Sequence, residues 1–196
     1  MATSRQTRQS PYKSVDAIEV RIWGPRVGAV AREPTRNHYA FSYDPSWVRT
    51  GIELAPLHMP LAQASEPFLF ADLPEATYKR LPAMLADALP DDFGNALIDA
   101  WMAARGLRKD AITALDRLAY MGKRGMGALT FGPLRGPSPS KPTAIKMGQL
   151  VEAARRAVQG DFAGDAHAAT ALKQIIQVGT SAGGARAKAT IAWNPD

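Results

Sequence analysis

The order in which two hydrophobic periodicities follow one another most constrains what this chain can fold into. Apolar and polar residues alternate over 18–22 and again over 39–43, which is the period of a half-buried strand. After Pro74 the apolar residues recur at helical spacing instead. Strands grouped ahead of helices favour an α+β fold: a small mixed N-terminal subdomain in which a β-hairpin or short sheet packs with helices.

Turn and cap residues mark where each predicted strand and helix begins and ends. Gly24 and Pro25 mark a turn between the first strand and a returning strand, and Asp44-Pro45 ends the third. The recurring prolines between residues 54 and 61 predict an irregular segment. The predicted later elements are a helix over 78–88, one that begins at Asp91-Asp92 and ends near Gly106, one from Thr113 to Gly122, and a strand over 126–131.

Composition changes along the chain predict four segments. Residues 1–13 form a disordered basic tail, and residues 14–132 form the mixed subdomain. Residues 133–147, which contain the stretch GPLRGPSPSKP, form a linker dominated by proline, glycine and serine. Residues 148–196 contain two helical patterns, a glycine-rich loop and a final strand-like stretch.

Several classes of protein are excluded by composition. A content of 46% hydrophobic and 21% charged residues is that of a globular chain. The absence of cysteine excludes disulfides and thiolate chemistry. No run approaches the roughly 18 apolar residues of a membrane span, and the polar, basic start does not have the pattern of a secretory signal. A cytoplasmic protein without a membrane partner is therefore expected.

The charge is unevenly distributed around a net value of +6. Residues 53–99 contain eight acidic and two basic residues, whereas residues 102–146 contain nine basic and two acidic ones. A basic surface is expected from the second stretch. It is compatible with a solvated face, with a protein partner, or with nucleic acid, whose binding would depend on salt.

The glycine-rich loop is the strongest chemical motif. Residues 179–183, GTSAG, match the G-x-S-x-G pattern of hydrolases. That motif requires a strand before the serine and a histidine after it, and no histidine follows His167. A Walker A loop also fails, because Gly184 is followed by Ala185 and not by lysine. Phosphate binding through backbone amides and a plain turn both remain open.

Other polar residues have simpler interpretations. His38, His58 and His167 have no second ligand at metal spacing, so surface or hydrogen-bonded roles are expected and no metal site is predicted. The adjacent carboxylates Asp91 and Asp92 are better explained by capping of a helix than by acid–base chemistry. No catalytic residue is assigned from the sequence.

Several motifs, in their order along the chain, resemble the HipA family of toxin serine/threonine kinases. They are Val27-Gly28, the run YAFSYDPSW over 39–47, PLHMPL over 56–61, LPD over 89–91, GMGAL over 125–129, and GTSAGGARAKA over 179–189. The resemblance covers nearly the whole chain after the tail. It implies an N-terminal subdomain followed by the start of a kinase N-lobe.

The resemblance also implies a function. Members of this family transfer the ATP γ-phosphate, with Mg²⁺, to a translation-related protein such as a tRNA synthetase. A small antitoxin, HipB, holds the toxin and binds operator DNA. The nucleotide-binding loop would correspond to Gly183, Gly184, Ala185, Arg186, Ala187 and Lys188. Ser181 would correspond to the autophosphorylated serine, with Thr180 as the competing hydroxyl.

The sequence departs from the family pattern at its end. The catalytic Asp, the metal-binding Asp and the nucleotide-anchoring lysine of the family lie further along than Asp196. We therefore expect these 196 residues to be inactive alone, to bind no cofactor tightly, and to be a piece of a longer kinase. The alternative is a stand-alone, antitoxin-like module that inhibits a separate kinase.

Overall fold

A computed structural model describes residues 10–33, 38–125 and 127–137 of the chain. Within these ranges the fold is α+β, as predicted. The strands are β1 (Ala17–Ile22), β2 (Arg26–Glu33), β3 (His38–Tyr43), β4 (Phe68–Leu69) and β5 (Leu129–Gly132). The helices are α1 (Pro45–Val48), α2 (Glu75–Tyr78), α3 (Ala83–Ala86), α4 (Asp92–Ala103) and α5 (Ala114–Met121), with short 3₁₀ helices at Leu61–Gln63 and Lys109–Ala111.

The five strands form one antiparallel sheet in the order β4-β3-β2-β1-β5. The central hairpin pairs Ile18 with Val30, and its register shifts between Val20 and Arg21. The last strand returns across the helical region to pair with β1, so that Val20 faces Phe131. The sheet therefore joins the two ends of the described chain. Helices α2 to α5 lie between β4 and β5 in sequence, whereas α1 lies between β3 and β4.

The alternation read from the sequence determines which face of the sheet is buried. One main core contains the inward side chains of β1 to β3 together with residues of α3 and α5, among them Leu85, Leu115 and Leu118. Gly28 lies where β2 crosses close to β3, and a Cβ built there would stand 2.2 Å from the carbonyl oxygen of Ser42. A side chain at this position would push the two strands apart.

The prediction of one helix over residues 78–88 is wrong. The structure has two single-turn helices instead, α2 and α3. Between them Lys79 and Arg80 adopt left-handed backbone conformations, with φ of 51° and 64°, and Pro82 precedes the second helix. Proline disfavours the helical conformation of the residue before it, so the periodic apolar residues lie on a bend and not on a continuous helix.

The predicted caps of the two longer helices are confirmed. The Asp91 carboxylate accepts a hydrogen bond from the Gly94 amide at 2.8 Å, and so begins α4. Gly106 follows its last turn with φ of 83°. Thr113 and Asp116 form a reciprocal capping box at the start of α5. Within the described residues no helix has the length and hydropathy that crossing a bilayer requires.

Asp116 is the buried charged residue of the described core, with no exposed surface. One of its oxygens accepts hydrogen bonds from the Tyr12 hydroxyl and the Val15 amide, both at 3.1 Å. The other accepts from the amide and the hydroxyl of Thr113, at 3.0 and 2.8 Å. Neutral donors thus solvate the carboxylate, and they tie the segment before β1 to the first turn of α5.

A second hydrophobic cluster extends from this point along α4 and α5. The Trp101 ring makes edge-to-face contacts with Tyr12 and with Tyr120, with centroid distances of 6.1 and 5.1 Å. Burial is the main cause that raises the pKa of Tyr120, to about 12. Burial, followed by the neighbouring Asp116 charge, also raises the pKa of Tyr12.

Substitution of Asp116 by asparagine should lower the free energy of unfolding by about 3 kcal/mol, because an amide cannot accept from four donors in a buried site. Tyr12→Phe should cost about 1.5 kcal/mol through the loss of one of these donors. Urea unfolding followed by circular dichroism measures both changes. Asp16→Asn, at an exposed carboxylate, is the control and should stay within about 0.5 kcal/mol of wild type. Equal effects of the two aspartate substitutions would contradict the proposed role of Asp116.

Stability should also fall at alkaline pH. The folded-state pKa of Tyr120 is raised from 10.0 to about 12, so folding favours the neutral phenol. Its contribution is complete below the unfolded pKa near 10.0 and is lost as pH rises through the folded pKa of about 12. Unfolding free energies measured across this window should decline less steeply in Tyr120→Phe. An unchanged slope in that variant would show that other groups cause the decline.

Candidate functional site

A polar cleft of about 1040 Å³ lies between the sheet, α2 and one face of α4. The α4 face is formed by residues spaced three or four apart, so that they share one side of the helix. The opposite walls come from the ends of β2 and β3, from α2, and from the 3₁₀ segment that leads into α5. The charged residues of the lining are Arg32, Glu75, Lys79, Arg80, Asp92, Asp99, Lys109, Asp110 and Arg117.

The wall formed by α4 and α5 is held by an ion triad. An Asp99 oxygen lies 2.8 Å from an Arg117 guanidinium nitrogen, and its other oxygen lies 3.3 Å from Lys109 Nζ. The side chains of Asp99 and Arg117 are only 16% and 17% exposed, so solvent screens their attraction weakly. Since one carboxylate meets two cations, the triad has a net positive charge.

Arg32 and Tyr39 form the sheet side of the cleft. They face each other across β2 and β3 in the strand register. Burial raises the pKa of Tyr39, although its hydrogen bond with the Ala114 backbone at the start of α5 acts in the opposite direction. The phenol therefore stays neutral and attaches the start of β3 to the first turn of α5, with the Arg32 cation beside it.

The α2 side of the cleft ends in the two left-handed residues. Lys79 Nζ donates a hydrogen bond to the Ala76 carbonyl at 2.8 Å, and Arg80 Nη2 donates to Glu75 at 2.6 Å. The Lys79 bond satisfies a carbonyl of the short helix, and the Arg80 bond is an ion pair with the side chain of its first residue. They also place two cations at the rim of the cleft.

The chemistry of the cleft is that of a polar binding surface. Its charged groups are mostly engaged with each other, and the phenol of Tyr39 in the described lining is held neutral by burial. Among the described residues no group of three His, Cys, Asp or Glu side chains is placed to hold a metal ion. The arrangement can hold water and charged ligands through arginine and lysine donors.

The residues predicted to bind nucleotide and to be phosphorylated, 181 and 183–188, lie outside the described part of the chain, as does His167. The prediction that assigns them stays a prediction. Of the other histidines, His38 begins β3 and His58 lies on an exposed loop. The Asp91 side chain caps α4, as expected.

Sequence reasoning missed the cleft itself. The spacing of the polar residues 92, 95 and 99 was the available signal, because it marks one polar face of the predicted helix. The other walls come from elements distant in sequence. No local pattern in the sequence shows that these walls meet this face.

Comparison with protein families identifies the class of this fold. Residues 18–132 match the family described as the HipA N-terminal domain. This range begins at the second residue of β1 and ends with the last residue of β5, so it includes the described sheet except Ala17, and helices α1 to α5. The match extends over more than half of the chain, and the chain belongs to this family. Comparison with curated proteins and with solved structures gave no match.

The ion triad gives a direct test of the cleft wall. Asp99→Asn should lower the free energy of unfolding by about 2 kcal/mol, because Arg117 would stay nearly buried without a carboxylate. The matched control is Asp110→Asn, which breaks a pair whose side chains are 69% and 82% exposed. That change should stay within about 0.5 kcal/mol of wild type. Chemical denaturation of both variants makes the comparison, and equal losses would refute the triad as a stabilising wall.

Proposed function

We propose that this chain is the N-terminal region of a HipA-like serine/threonine protein kinase toxin of a toxin–antitoxin system. The observation that carries the proposal is the family match over residues 18–132, followed in the same chain by the glycine-rich stretch 179–189. The described domain then serves as the non-catalytic module that precedes the kinase core. A cytoplasmic location is part of this proposal.

The nucleotide role rests on the composition of that stretch. Residues 183–188 read GGARAK, in which two glycines allow backbone amides to approach a phosphate and the side chains of Arg186 and Lys188 add positive charge. ATP with Mg²⁺ would supply the phosphoryl group in the complete kinase. The loop residues would bind and orient the phosphates, and the carboxylates needed for transfer would come from outside these 196 residues.

Ser181 is the proposed site of regulation. A phosphate there would carry about −1.5 to −2 charge into a loop that otherwise binds ATP phosphates. Repulsion between like charges would exclude the nucleotide and leave the kinase inactive. The proposed partners follow from the same family: a HipB-like antitoxin, operator DNA held through that antitoxin, and a translation-related protein substrate such as a tRNA synthetase.

A stand-alone interaction module is the second candidate. It is favoured by the fact that the family match ends at residue 132 and that residues 10–137 contain their own sheet and core. Such a module would bind and inhibit a kinase encoded separately. The glycine-rich stretch has no role in it, which makes this candidate the weaker one. The reading frame that follows Asp196 separates the two: a continuing kinase core supports the first, and a stop followed by a kinase gene supports the second.

Phosphosite mapping tests the kinase proposal. The full-length protein incubated with ATP and Mg²⁺ should gain phosphate on Ser181, and mass spectrometry should find it in the peptide that contains the glycine-rich stretch. Thr180→Ala should keep this phosphate and Ser181→Ala should lose it. Ser181→Asp should weaken ATP binding, because a carboxylate brings negative charge into the loop. Phosphate on Thr180 alone would refute the assignment of Ser181, and no phosphate on any residue would refute the kinase proposal.

A further inference from the structure

Arginine side chains cover the second hydrophobic cluster. The Arg105 guanidinium lies 3.5 Å from the centroid of the Trp101 ring, and that of Arg124 lies 4.5 Å from the centroid of the Tyr120 ring. Arg135 adjoins them, since its amide donates to the Ala119 carbonyl at 2.8 Å. We use the name arginine face for the surface formed by Arg105, Lys123, Arg124 and Arg135.

The arginine face has an excess of positive charge. Arg105, Lys123 and Arg135 form no ion pair with any carboxylate of the described residues. The nearby acid is Asp116, which has no exposed surface. A charge that is fully buried and bonded to neutral donors cannot pair with these cations at the surface.

Two acid-free stretches of the chain meet at this face. Residues 1–15 contain Arg5, Arg8 and Lys13 and no acidic residue, and residues 117–151 contain six basic residues and no acidic one. The first stretch joins the face through the Tyr12 amide, which donates to the Arg105 carbonyl at 3.2 Å. The second passes through Arg135. In the sequence, basic residues without acidic neighbours therefore continue in both directions from the described part of this face.

Part of this arrangement serves the helices. Arg105 donates to the Trp101 carbonyl at 3.0 Å, and Arg124 donates to the Tyr120 carbonyl, so both cap the C-terminal ends of α4 and α5. Lys123 and Arg135 follow α5 in the chain and are exposed. Capping does not account for their charge.

We propose that the arginine face binds the phosphate backbone of nucleic acid directly and without sequence preference. Arginines whose guanidinium groups lie over aromatic rings are pre-organised, and their remaining N–H groups match phosphate oxygens. The rings beneath are buried, so bases cannot stack on them and sequence is not read there. Of the large apolar side chains exposed among the described residues, only Leu134 adjoins this face in the chain, so it lacks the apolar centre of a protein interface. This inference is independent of the kinase proposal.

Fluorescence anisotropy tests the inference with the full chain and a labelled DNA duplex of about 20 base pairs and arbitrary sequence. Affinity should fall steeply between about 50 and 200 mM salt, with a log–log slope of about −0.9 for each phosphate contacted. Arg105→Gln combined with Arg135→Gln should lower the magnitude of this slope by about two. Arg135→Gln alone, at an exposed residue outside the two cation–π pairs, should lower it by about one and does not threaten the fold.

One control variant locates the binding. Arg49→Gln, at the exposed end of α1, removes the same charge elsewhere and should leave the slope unchanged. Absence of salt-dependent binding, an unchanged slope in the Arg105/Arg135 variant, or an equal loss with Arg49→Gln would overturn the inference. Displacement of the DNA by poly-glutamate at equal charge concentration would overturn the choice of nucleic acid and favour an acidic protein.

Discussion

The described structure depends on one buried carboxylate. Asp116 receives four hydrogen bonds from neutral donors, which come from the segment before β1 and from the cap of α5. A charge without a counterion in a core is tolerated only when its donors are held in place. The buried charge therefore requires both segments to keep fixed positions, and both segments are held in place by their hydrogen bonds to it. The sheet and the α5 helix are joined at this point.

This constraint explains why the described fold depends on residues outside the family match. The match begins at residue 18, yet Tyr12 and Val15 lie before it and bind an aspartate well inside it. Tyr12 also packs on Trp101, so the preceding segment contributes to the second cluster as well. A truncation at the start of the matched range would leave the Asp116 carboxylate with only its Thr113 donors.

The α4 helix serves two surfaces at once. Its apolar residues, including Ile98 and Trp101, are buried in or beside the cores. Its polar residues 92, 95 and 99 line the cleft, where Asp99 pairs with cations from two other elements. Because one helix forms both surfaces, loss of the Asp99 triad would loosen the cleft wall without removing the hydrophobic contacts that hold the helix.

The sequence alone determined the α+β class, the three strands of the sheet's centre, and the caps at Asp91 and Thr113. These features are local: alternation, turn residues and side-chain oxygens act within a few positions along the chain. The break between α2 and α3 was also local, and weighing Pro82 above the apolar spacing would have predicted it.

Only the tertiary structure decided how distant residues meet. Three arrangements join residues that no local pattern connects. They are the hydrogen bonds that Asp116 accepts from Tyr12 and Val15, the Asp99 ion triad, and the arginine face. The sequence showed that residues 102–146 are basic, but not that Arg105, Arg124 and Arg135 lie together. Such proximity follows from the antiparallel return of β5 to β1 and from the packing of α4 on α5, because long-range pairing is specified by the whole core and not by any single segment.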